Sequence, residues 1–122
     1  MDSKQIQTMI TIYHNNRCSK SRSALQELEK SGKEFEIVYY LDTPPNQAVL
    51  TTIVAKLGIK PIELVRKGER VFIDHYKGKT LSDEEWIEAM VKHPVLIERP
   101  IVISGNQAVI ARPTEKIQEI LG

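Results

Sequence analysis

With one cysteine, Cys18, in 122 residues, the chain cannot build an internal disulfide framework. A lone thiol suits a compartment where thiols stay reduced. No Cys-His cluster has zinc spacing, so no metal site is expected. Excess charge is missing too. The 17 Lys and Arg against 16 Asp and Glu leave a formal charge of +1. That argues against a broad nucleic-acid-binding face but permits a local basic pocket. No apolar run approaches the ~18 residues of a membrane span, and the opening "MDSKQIQT" is too polar for a signal peptide. There is no linker, low-complexity tract or internal repeat. These absences predict a cytoplasmic protein with no membrane or nucleic-acid partner. It should form one domain over residues 1–122 with a polar tail over 1–8, and 41% hydrophobic residues suffice for its core.

What is present reads as alternating strands and helices. "MITIY", residues 9–13, is rich in β-formers, and "FEIVYY", residues 35–40, is a second strand. Between them Ala24, Leu25 and Leu28 recur at helical spacing from Ser19 to Ser31, and Gly32 supplies a stop. Strand, helix and strand form a βαβ unit. A helix is expected over Gln47–Leu57, closed by Gly58, and a short one in "KPIELVRKG". "ERVFIDHYKGK" reads mostly as loop. "SDEEWIEAMVKHP" predicts a helix over Asp83–Lys92 with a Ser82/Glu85 capping box. "PIVIS" and "QAVIA" around "GN" predict a hairpin, and "TEKIQEIL" a closing helix capped by Thr114. The expected class is α/β: a mixed, thioredoxin-like (glutaredoxin-like) sheet flanked by helices, with a central helical insertion.

Cys18 falls where the chain leaves the first strand and enters the first helix. A lone cysteine is ordinarily a small buried hydrophobe. Here its neighbours are polar, with Arg17, Lys20 and Arg22 close by and His14 four residues upstream. Helix N–H groups and cations both favour thiolate over thiol, so a reactive cysteine is expected. Several thiol chemistries are excluded. Ser21 occupies the second position of a Cys-x-x-Cys pair, and Ala24 stands where a Cys-x5-Arg phosphatase loop needs arginine. "KGKT" ends like a P-loop, but Ile73 stands where the first glycine belongs. Arg17, Lys20 and Arg22 read as a solvated helix start, His75 and His93 as surface groups, and Trp86 as core.

Four segments in order, "IYHNNRCSKSR", "LVRKGE", "HPVLIERPIV" and "ARPTEKIQEIL", resemble the glutaredoxin-dependent arsenate reductase (ArsC) family, from about Ile10 to Leu121. The resemblance implies Cys18 as nucleophile and Arg66, Arg99 and Arg112 as the arginines binding the oxyanion. It implies His14 as a catalytic residue assisting ionisation of the thiol, Pro100 as a cis proline facing it, and Asn15 and Ser21 in support. Asn16 stands where the family commonly has proline, which is expected to loosen the loop, and "GERVFIDHYKGKT" matches poorly.

The implied activity is reduction of arsenate to arsenite through a covalent thio-arsenate on Cys18. Glutathione would be co-substrate, glutaredoxin the partner, and no cofactor would be bound. Converging guanidinium groups suit that substrate, because they hold an oxyanion with paired hydrogen bonds and offset repulsion of the thiolate. Two alternatives stay open: a monothiol glutathione-linked thiol-disulfide oxidoreductase, and a regulator docking on RNA polymerase in the manner of Spx. The Cys-x-x-Cys usual in Spx is absent.

Overall fold

The computed structural model describes residues 9–121; the tail expected over 1–8 lies outside the described residues. Contacts divide the described residues into two compact units, 9–38 with 99–121, and 39–98.

The first unit is built on a sheet of β1 (Ile10–His14), β2 (Phe35–Tyr39), β3 (Ile101–Ser104) and β4 (Gln107–Ile110), in the order β2-β1-β3-β4. Along β1 burial alternates as a strand period of two requires: Ile10, Ile12 and His14 are buried, Thr11 and Tyr13 less so. That alternation puts His14, a polar residue, on the core face at the end of the strand. β3 pairs antiparallel with β1, Tyr13 opposite Ile101, and with β4, Ile101 opposite Ile110 and Ser104 opposite Gln107. Gly105 turns the hairpin at φ 61°, a conformation side chains other than glycine's resist.

α1 (Ser19–Ser31) carries the chain from β1 to β2 and buries Ser21, Ala24 and Leu28 at helical spacing. Gly32 closes it at φ 73°. Ala24 and Leu28 join Ile10, Ile12, Val102, Ala111 and Ile117 in one core. At roughly 1.5–3 kcal/mol per buried aliphatic side chain, this cluster is what holds the sheet and α1 in register. The closing segment differs from expectation at its start. A 3-10 turn, Thr114–Ile117, precedes α5 (Gln118–Leu121), and Pro113, not Thr114, is the capping position. The reason is that the Pro113 carbonyl takes the turn's first bond, from the Lys116 N–H.

The second unit contains α2 (Gln47–Leu57), α3 (Arg70–His75) and α4 (Asp83–Lys92), with 3-10 turns at Pro61–Leu64 and Pro94–Leu96. Asn46 caps α2 through Oδ1 to the Val49 N–H, and Ser82 and Glu85 cap α4 reciprocally as the sequence predicts. α3 lies in the segment read as loop. Its six residues are too few to display a helical repeat, although Phe72 stacks with Trp86 and Tyr76, four residues on, packs against the same ring at a tilt. Val65 bridges to Ile97, and the bonds Arg66 N–H to Leu96 O and Glu98 N–H to Leu64 O tie the two 3-10 turns together. Trp86 is core, as expected. Among the described residues no helix is long and apolar enough to cross a membrane.

Candidate active site

Between β1 and α1 the chain makes a tight loop organised by Asn15. Its N–H donates to Ser21 Oγ (3.0 Å), its carbonyl accepts the Cys18 N–H (3.0 Å), and its Oδ1 accepts the Arg17 N–H (3.0 Å). Asn16, expected to loosen this loop, has its carbonyl bonded by Arg22 Nη1 at 3.0 Å. Asn15 thereby fixes the backbone path that brings Cys18 to the start of the helix.

Cys18 is the N-cap residue of α1, with extended backbone (φ −101°, ψ 122°). A cap position normally holds an oxygen that satisfies the first-turn N–H groups. Cys18 has no side-chain oxygen to offer there, and the first turn contains no acidic residue. The positive helix end is thus left to the sulfur. α4 shows the contrast, with Asp83, Glu84 and Glu85 crowded into its first turn.

Partial burial pushes the Cys18 thiol up, but the opposing influences outweigh it: the Ser21 N–H, a hydrogen bond from Arg99, the Lys20 N–H and the Arg99 charge. The thiol ends below its ordinary range. Arg112 adds a second guanidinium, with Nη1 3.9 Å from Sγ and 3.3 Å from the Arg99 carbonyl oxygen. The hairpin explains why these arginines meet. The register continues outward from Ile101–Ile110 to Pro100–Ala111, joined by the Ala111 N–H to Pro100 O bond, and then to Arg99 and Arg112. Both precede prolines in cis peptide bonds, Pro100 as the resemblance implied and Pro113 in addition. Pro100 is buried.

His14 and Ser21 form the layer beneath. Both are buried, at 3% and 0% exposure, with His14 Nδ1 and Ser21 Oγ 2.6 Å apart. Burial first, and then the Arg22 charge, hold His14 below its ordinary range, so near neutral pH the ring is uncharged. A neutral ring lets the Ser21 hydroxyl donate to Nδ1 while Oγ accepts the Asn15 N–H. The Ser21 side chain therefore serves the loop, and its backbone N–H serves the sulfur. Arg17, Lys20 and Arg22 are exposed.

Arg66 belongs to the second unit. Its Nη1 lies 2.6 Å from Glu98 and its Nε 3.2 Å from Glu69. Burial alone would favour the neutral form, but these carboxylates, Glu98 foremost, outweigh it, push the pKa above its ordinary value and hold the guanidinium charged. Sequence reasoning missed both carboxylates; the Arg66–Glu69 spacing of three was the visible hint. Among the described residues no group of three His, Cys, Asp or Glu side chains could hold a metal ion.

The ArsC family matches residues 13–120. The chain is 44% identical over 115 residues to the "Uncharacterized protein YfgD" of Escherichia coli K12, covering 93% of this chain and 97% of that one. It is 43% identical over 117 residues to a Neisseria meningitidis protein named arsenate reductase, covering 92% and 97%. Among solved structures, the arsenate reductase from Vibrio cholerae superposes with a TM-score of 0.88 at 38% identity, over 93% of this chain and 98% of that one. The fold is thioredoxin-like, a mixed four-stranded sheet with flanking helices.

Proposed function

The chain belongs to the ArsC family, and from that premise we propose that it reduces arsenate to arsenite at Cys18. The observation that carries this reading is the meeting of Arg99 and Arg112 at a sulfur that already caps a helix without a competing carboxylate. A thiolate and an arsenate dianion repel. Two planar, permanently charged donors at the sulfur offset that repulsion and can grip substrate oxygens in pairs. Cys18 attacks arsenic, one oxygen leaves as water, and a thio-arsenate forms.

Two electrons must then take As(V) to As(III). Two thiols supply them and end as a disulfide, so arsenate and two thiols give arsenite, disulfide and water. Cys18 is the only thiol of the chain. Both reducing thiols therefore come from outside, in our reading glutathione and then glutaredoxin, in the reducing cytoplasm. Arg99 and Arg112 bind the oxyanion, and His14 and Ser21 position the loop. Arg66, which the resemblance implies as a third arginine, has its guanidinium shared by Glu69 and Glu98.

The test is arsenite formation by purified protein supplied with arsenate, glutathione and glutaredoxin. Turnover is expected, with Cys18→Ser at background. A wild-type protein that reduces a glutathione mixed disulfide but leaves arsenate untouched overturns the proposal in favour of a monothiol oxidoreductase.

A further inference from the structure

A cleft of about 660 Å³ opens in the second unit, within the ~300–1,000 Å³ range of small-molecule sites. Its floor is apolar: Ile62, Leu81 and the rings of Phe72 and Trp86, stacked 6.0 Å apart and 19° from parallel. Ile73 stands at its edge with 44% of its surface exposed, an apolar side chain left in water. Three lysines complete the walls, Lys67, Lys77 and Lys79, and no Asp or Glu lines the cleft. Among the described residues none of these lysines forms an ion pair.

Two of the lysines are fixed in place by their backbone. The Lys77 N–H bonds to the Phe72 carbonyl (2.9 Å) and the Lys79 N–H to the Tyr76 carbonyl (3.0 Å), which anchors both to the end of α3. Gly78 makes the left-handed turn between them at φ 81°. Lys79 Nζ also sits 5.9 Å from the Tyr76 ring centroid, within cation–π range.

From this arrangement we propose that the cleft binds a small organic anion: an apolar body packed on Ile62, Ile73 and Leu81 over the buried rings of Phe72 and Trp86, its carboxylate, sulfonate or phosphate facing Lys67, Lys77 and Lys79. A bare inorganic anion would leave the apolar side chain of Ile73 in water. A neutral apolar ligand would crowd three ammonium groups without compensating them. An amphipathic anion satisfies both. This site is independent of the arsenate reading, since it shares no residue with Cys18, Arg99 and Arg112.

Trp86 is the only tryptophan of the chain, so its emission reports occupancy directly. In a titration with anilinonaphthalenesulfonate we expect saturable quenching at one equivalent, weakened by added salt. The uncharged phenylnaphthylamine should bind at least about fivefold more weakly, and sodium sulfate alone should leave the emission unchanged. Exposed ion pairs contribute ~0.2–1 kcal/mol each, so the solvent-exposed double change Lys77→Gln/Lys79→Gln should weaken the sulfonate roughly 2–30-fold and spare the neutral probe. Ile73→Glu should weaken it as well. Absent or non-saturating quenching, equal affinity for the neutral probe, or a double variant that binds as wild type would each overturn the proposal.

Discussion

Replacing Ser21 by alanine removes one oxygen from the most buried polar contact of the site. The Oγ is fully buried, 2.6 Å from His14 Nδ1 and 3.0 Å from the Asn15 N. Its loss leaves a ring nitrogen and a backbone N–H without that partner, and each buried polar group so stranded costs about 1–3 kcal/mol. Alanine returns roughly 0.5 kcal/mol through its better helix propensity. The expected net loss is about 1.5–5.5 kcal/mol, a large share of the ~5–15 kcal/mol that holds a domain of this size folded. With a urea m-value of about 2 kcal/mol/M, the middle of the usual range, the unfolding midpoint should fall by roughly 1–3 M. A second readout separates site from stability. The Ser21 and Lys20 N–H groups that acidify Cys18 are aimed by the loop that Ser21 Oγ ties down. The pH profile of Cys18 alkylation, measured well below the unfolding midpoint, should therefore move up toward that of an ordinary thiol. Ser23→Ala, on the same helix, should stay within ~0.5 kcal/mol of wild type with an unchanged profile. A Ser21→Ala protein as stable as wild type, with a superimposable profile, would refute the reasoning.

Two further outcomes follow from the geometry. Arg99→Lys keeps the cation but loses the planar fork, so arsenite formation should drop at least about tenfold; near-normal kcat/KM would count against paired gripping of the oxyanion. His14 and His93 are both held below the ordinary histidine range, chiefly by burial. The unfolded chain therefore binds protons that the folded chain refuses once pH drops below ~6.5. Stability from this source is complete above that pH and declines as pH falls through the lowered values, so urea titrations from pH 7.5 to about 5.5 should show the loss, with a shallower slope in His14→Gln and His93→Gln. A flat profile would contradict a neutral buried His14.

Much of the architecture was legible because local signals and burial agree. α1, α2 and α4 have the bounds that periodicity, Gly32, Gly58 and the Ser82 capping box indicate. β1 is shifted by one residue, to end at His14 rather than Tyr13, and β2 ends one residue early, at Tyr39. α3 was not legible: in six residues the signal is one aromatic pair, and only packing on Trp86 makes it a helix. At the site, the meeting of Arg99 with Arg112 could have been worked out from the hairpin, since fixing the turn at Gly105 and Asn106 fixes every pair outward from it. The ion pairs of Arg66 could not. Glu98 is 32 residues away, and its approach depends on the bridge between Val65 and Ile97, which no local pattern announces.

The carboxylate-poor first turn of α1 has a consequence for anyone who would strengthen the protein. Ordinary practice would write an aspartate or glutamate at Ser19 or Lys20 and gain ~0.3–1 kcal/mol of helix stability. Here that gain would install a rival anion beside the sulfur, drawing off the same N–H groups and guanidinium charge. On the proposed chemistry, the thermostable version of this helix would be the inert one.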